Sequence, residues 1–170
     1  MAIQLFKASF DVEACLAQVR ECLEKGWTGM GFKTVEFEEE WKKYTGHKYA
    51  YYINSNTAGL YMAVDTLKEK FGWEDGDEVI STPLTFITTN HAIAKSNLKA
   101  VFADVDDTLC LDPKSVEEHI TEKTKAVIFV GFGGNTGSFK RIVKICKDHG
   151  LKLILDAAHM SGTRYRDGSV

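Results

Sequence analysis

From Lys48 onward, short apolar runs alternate with amphipathic stretches, and this alternation constrains the fold more than any other feature of the chain. The apolar runs cover residues 49–53, 77–81, 99–105, 125–130 and 151–155. Helical patterns stand between them at 57–71, 85–96, 113–120 and 138–150. Parallel strands cannot be joined by tight turns, and a crossover helix supplies the connection. Strands covered by helices on both faces read as continuous apolar runs, as these do. The pattern predicts an α/β fold of three layers, a mostly parallel sheet with helices on both faces. Pro83 and Pro113 both fall at boundaries between elements, where proline is tolerated.

The first 47 residues read differently. Asp11 is placed to cap a helix whose apolar stripe runs Val12, Cys15, Leu16, Val19, Cys22 and Leu23 before Gly26 ends it. Cys15 and Cys22 are seven residues apart, and the simplest expectation is two buried thiols on one helix face. A glycine-rich stretch, GWTGMG, leads to a second helix through VEFEEEWKKYTG. There Glu38 and Lys42, and Glu39 and Lys43, are spaced for i,i+4 pairs on a solvated face. With 170 residues the expected organisation is one domain over 1–170, a helical segment at 1–47 followed by βα units at 48–170.

Charge and composition exclude several classes. A net charge of −3 gives no electrostatic case for nucleic acid or an acidic membrane surface. The opening MAIQLFKASFD lacks the apolar stretch of a signal peptide, and no apolar run is long enough to span a bilayer. The four cysteines, Cys15, Cys22, Cys110 and Cys146, form no CxxC pair, which points to a reducing, cytoplasmic setting. His47, His91, His119 and His149 have no metal-ligand spacing and are expected in surface or capping roles, so no metal site is assigned. Asp104, Asp106 and Asp107 are expected in a solvated turn.

In sheets of this kind ligands bind beyond the carboxyl ends of the strands. The residues there are Ser55–Ala58, Thr85–Phe86, Asp104–Asp107, the glycine loop 131–137 and Asp156–His159. Two readings compete. VGFGGNTG with a following helix and Asp156 outlines a dinucleotide fingerprint, but Thr136 stands where the third glycine belongs, and three βα units precede it. The other reading starts from SNTAGL, a strand end followed by a helix start, which suits a phosphate held by backbone N–H groups. With Phe86 for stacking and Asp156 for a buried cation, the ligand would carry a phosphate, a flat ring and a protonated ring nitrogen. Pyridoxal 5'-phosphate has all three.

Four stretches in order then carry a resemblance: GWTGMGFKTVEFEEEWKKYTGHKYAYYINSNTAGL, GDEVISTPLTFITTNHAI, VFADVDDTLCLDPKSVEEHITEKTKAVIFV and LKLILDAAHMSGTRY. Together they resemble the DegT-type sugar aminotransferases, pyridoxal-phosphate enzymes of fold type I, with this chain similar to the amino-terminal part of their large domain. The resemblance implies that Asp156 faces the pyridine nitrogen, Phe86 stacks on the ring, and His159 contacts the ring side or its phenolic oxygen. Asn56, Thr57 and Ala58 would lie at the phosphate, and Thr28 and Gly29 would meet a sugar nucleotide. It implies a nucleotide-linked keto-sugar as substrate, glutamate as amino donor, and a homodimer. Asn56 stands where the family usually has glycine, and Gly59 where it has alanine. The family's Schiff-base lysine and smaller domain come after the position of Val170, so this chain is expected to hold no catalytic lysine. A non-catalytic binding module and a dehydrating branch of the same scaffold are the alternative expectations.

Overall fold

A computed structural model of the chain describes residues 8–165 and Gly168. They divide into two compact units, Met1–Tyr52 and Ile53–Val170.

The described residues of the first unit form two helices, α1 (Val12–Glu24) and α2 (Phe32–Thr45). Asp11 caps α1 as its sequence position demands, its carboxylate accepting from Ala14 N at 3.0 Å. Gly46 ends α2 in the left-handed region at φ 73°, the conformation glycine adopts without a Cβ penalty. The expected burial of the α1 thiols does not hold: Cys15 is exposed and Cys22 half-exposed. Helical periodicity marks the stripe correctly, but among the described residues nothing covers it, and Val12, Leu16, Val19 and Leu23 are each more than half exposed. The α2 ion pairs also differ from expectation. Lys42 pairs with Glu39 and Lys43 with Glu40, both at i,i+3. Spacings of three and four bring side chains equally near on a helix, and Glu38 is occupied elsewhere, accepting from Tyr52 N at 2.7 Å.

The second unit is the βα array. Its elements are α3 (Asn56–Phe71), β1 (Glu78–Ser81), α4 (Ile87–Lys95), β2 (Lys99–Phe102), α5 (Pro113–Glu118), β3 (Thr124–Val130), α6 (Phe139–Asp148) and β4 (Lys152–Asp156). The strands pair in the order β2-β1-β3-β4, all parallel. Among the described residues four strands form where five were expected. Residues 49–53 are apolar and aromatic but make no ladder among the described residues, and Tyr49 and Tyr51 lie largely exposed. A strand needs a neighbour for its backbone groups, and composition does not supply one.

The sheet has a core on each side, as continuous apolar strands require. Val79, Ala126, Ile128 and Ile154 face Leu60 and Val64 of α3 and Ala92 and Ile93 of α4. The alternate residues Ile80, Val127 and Phe129 face Val116 of α5 and Ile142, Ile145 and Cys146 of α6. One sheet thus lies between two helical layers, the expected three-layer arrangement. Successive strands step from β1 outward to β2, then back past β1 to β3 and on to β4. The chain therefore reverses direction between β1 and β3, and the crevice beyond their carboxyl ends is the position such sheets use for ligands.

Candidate functional site

A cleft opens at that crevice, lined by Thr85 and Phe86 after β1, Val130 at the end of β3 and Phe132 beyond it, and Asp156 at the end of β4 with Ala158 and His159 beyond it. Asp156 is its buried polar group, only 5% exposed, and it is the last residue of a strand whose pairing Val130↔Asp156 fixes its position. Both carboxylate oxygens are held by donors. Thr89 Oγ1 donates to Oδ2 at 2.7 Å, while Asn56 Nδ2 and Ala158 N donate to Oδ1 at 3.0 and 3.3 Å. Thr89 is itself fully buried and hydrogen-bonded to Thr85 Oγ1 at 2.9 Å. A buried carboxylate with this many donors is oriented by them and leaves further lone pairs for a cationic N–H of a ligand.

Phe86 stands at the opposite extreme. It is 73% exposed, although large aromatic rings are normally buried, and it forms one wall of the cleft. His159 lines the same cleft, with Nδ1 accepting from Gly133 N at 3.2 Å and its ring edge-on to Phe132.

The start of α3 reaches this place through Asn56. Ser55 is the N-cap, its hydroxyl accepting from Ala58 N at 3.2 Å. The N–H groups of Asn56 and Thr57 precede the first intrahelical hydrogen bond, from Gly59 N to Ser55 O. They sit at the positive end of a 16-residue helix, which favours an anion. Ala58 N–H is thus already engaged by the cap. Asn56 does something spacing did not disclose, since its side chain turns to Asp156, 100 residues away in sequence. Thr89 escaped sequence reasoning altogether. A threonine inside α4 reads as an ordinary helix residue, and its only signal was lying four residues after Thr85 on the same helical face.

The glycine turn is accounted for by close approach of backbone. Gly131–Gly134 contains a single 3-10 turn with Gly133 and Gly134 at φ 61° and 82°. A Cβ on Gly131 would come within 2.0 Å of Met160 Sδ. Gly131 N donates to Asp156 O at 3.2 Å, so the turn is fastened to the end of β4. Thr28 and Gly29 belong to the other unit, in the segment between α1 and α2. The acidic turn after β2 is more built than expected. Asp106 Oδ1 accepts from Thr108 N at 2.8 Å and from Thr108 Oγ1, and Asp104 Oδ1 accepts from Val105 N. Among the described residues no group of three His, Cys, Asp or Glu side chains is placed to hold a metal ion, and no helix is long and apolar enough to cross a membrane.

A three-layer parallel sheet with a carboxylate-floored cleft at its switch point defines an α/β ligand-binding domain. More particularly, the chain belongs to the DegT/DnrJ/EryC1/StrS aminotransferase family, which it matches over residues 10–170. It is 42% identical over 152 residues to the spore coat polysaccharide biosynthesis protein SpsC of Bacillus subtilis, an alignment covering 89% of this chain and 38% of SpsC. Among solved structures it superposes on PseC of Helicobacter pylori, an aminotransferase of pseudoaminic acid biosynthesis, with a TM-score of 0.85 and 28% identity. That match covers 97% of this chain and 43% of PseC. The Escherichia coli GDP-4-keto-6-deoxy-D-mannose-3-dehydratase, solved with hydrated pyridoxal phosphate, gives a TM-score of 0.86 at 26% identity, covering 97% of this chain and 43% of the enzyme. The fold is the α/β fold of the type I pyridoxal-phosphate enzymes. The chain spans well under half the length of these relatives.

Proposed function

We propose that this chain is the amino-terminal part of the large domain of a pyridoxal-phosphate aminotransferase that moves an amino group from glutamate to a nucleotide-linked keto-sugar. The observation that carries the reading is Asp156, a buried carboxylate at the switch point of the sheet with donors on both oxygens and an exposed aromatic wall beside it. That donor set fits the cofactor. Asp156 would meet the ring nitrogen, Phe86 the ring face, His159 the ring edge, and the first turn of α3, at Asn56 and Thr57, the phosphate. Ala58 supports that turn through the Ser55 cap. When bound, pyridoxal phosphate supplies an electron sink for carbanion chemistry. The chain's own residues orient the ring, keep a cation facing Asp156, and hold the phosphate in the field of a helix terminus. Thr28 and Gly29 are proposed to meet the sugar nucleotide. The lysine that binds the cofactor covalently is proposed to lie outside the 170 residues of this chain.

The protein is further proposed to work as a homodimer in the cytoplasm. The exposed apolar stripe of α1 supports an association surface, and light scattering of the full-length protein tests it. A second reading, in which the same scaffold dehydrates a keto-sugar, is supported by the likeness to the Escherichia coli dehydratase. One assay separates them. The full-length protein with pyridoxal phosphate should show a cofactor absorbance band that shifts on adding glutamate, and should convert a nucleotide keto-sugar to an amino-sugar. A deoxy-sugar product favours dehydration. A colourless protein indifferent to pyridoxal phosphate overturns both, and saturable quenching of NAD(P)H fluorescence would then restore the dinucleotide reading of the glycine turn.

A further inference from the structure

We propose that the glycine turn after β3 is a positioning element that fixes the tautomer of His159, so that this side chain offers the cleft a hydrogen-bond donor. The inference rests on the cofactor reading only for the identity of the ligand. A neutral imidazole carries one proton, and the nitrogen that accepts a hydrogen bond is the one without it. Gly133 N–H donates to His159 Nδ1 at 3.2 Å, which places the ring proton on Nε2.

The turn is built for this donation. Gly133 and Gly134 are consecutive left-handed residues, and their reversal of the backbone aims the Gly133 N–H back at the segment after β4. That segment is fastened to the turn at several places. Gly131 N donates to Asp156 O, Thr163 Oγ1 donates to Gly134 O at 3.0 Å, and Met160 lies where a Cβ of Gly131 would stand. A Cβ on Gly134 would come within 3.1 Å of the His159 carbonyl oxygen, so the two stretches of backbone pass in close contact. Phe132, in the same turn, meets the imidazole edge-on with ring centroids 5.8 Å apart and restrains its rotation. With Nδ1 occupied, Nε2–H is the polar group His159 has left for a ligand in the cleft it lines. His159 therefore recognises an acceptor atom, and on the cofactor reading that atom is the phenolic oxygen.

The test is nitrogen magnetic resonance of the full-length protein, labelled with 15N-histidine, freed of cofactor and held at a pH where the ring is neutral. His159→Gln assigns the signals by their loss. A hydrogen bond of this kind biases the tautomers by up to about tenfold, so Nδ1 should resonate as an unprotonated nitrogen and Nε2 as a protonated one. A proton on Nδ1, or an averaged signal showing no preference, overturns the proposal. Adding pyridoxal phosphate to the same sample should move the Nε2 resonance. If Nε2 carries the proton but does not respond, the tautomer assignment stands and the cofactor reading fails.

Discussion

Replacing Thr89 by valine removes one hydroxyl and keeps the shape of the side chain. The structure makes the loss specific. Thr89 is fully buried, its Oγ1 lies 2.7 Å from Asp156 Oδ2, and Asp156 is itself 5% exposed, so water cannot substitute for the lost donor without repacking. A hydrogen bond to a charged group contributes about 1.5–3 kcal/mol, so T89V should lower the unfolding free energy of the full-length apo-protein by about that amount. Thr89→Ser keeps the donor and loses one buried methyl, which costs about 0.8 kcal/mol. Asn56→Ala removes the side-chain donor on the other carboxylate oxygen and leaves Ala158 N there. Asn56 is exposed, so the cost should be nearer 0.5–1.5 kcal/mol. Chemical denaturation of the four proteins gives the order: wild type, then T89S and N56A, then T89V. Because the same hydroxyl orients the carboxylate, T89V should also bind pyridoxal phosphate about tenfold more weakly, while T89S stays near wild type. If T89V and T89S are equally stable and bind the cofactor equally well, the carboxylate is not held in the way described.

Other outcomes follow from the same structure. Gly137→Ala puts a Cβ 2.6 Å from Cys110 Cβ at a residue with φ 44°, and should destabilise by roughly 2–4 kcal/mol in denaturation, combining left-handed strain with overpacking. Glu78 accepts from Thr121 Oγ1 at 2.6 Å and Lys99 Nζ at 2.9 Å, and these donors hold its pKa below the usual value of 4.5. Its folded-state pKa is depressed, so its contribution is present above about pH 4.5 and is lost as pH falls below it; Glu78→Gln should flatten the acid limb of a stability–pH profile. Burial pushes the Cys146 thiol up to about 11, so at pH 7 a maleimide should label exposed Cys15 first and leave Cys146 unlabelled until the protein unfolds, as peptide mapping would show.

The layers were legible in the sequence because burial on both faces writes itself as uninterrupted apolar runs, and residues 77–81 and 125–130 became the central strands. Residues 49–53 carry the same signature without becoming a strand, since pairing depends on a neighbour that composition cannot name. Phe86 and Asp156 were expected as ligand contacts from where they fall and His159 from the family resemblance, and all three line one cleft. What holds them in place was not legible. The contacts from Asn56 and Thr89 to Asp156 span 100 and 67 residues, and polar pairing over such distances leaves no periodic trace. The cysteines of α1 show the converse limit, for an amphipathic stripe announces a partner face and says nothing of where that face is.

The central claim is that Asp156 meets the ring nitrogen of pyridoxal phosphate. It is tested most directly by binding the cofactor, labelled with 15N in its ring, to the full-length protein and to its Asp156→Asn variant. The account predicts a protonated pyridinium signal in the wild type that shifts to the neutral position in D156N. The same signal in both proteins would contradict it and place the ring elsewhere.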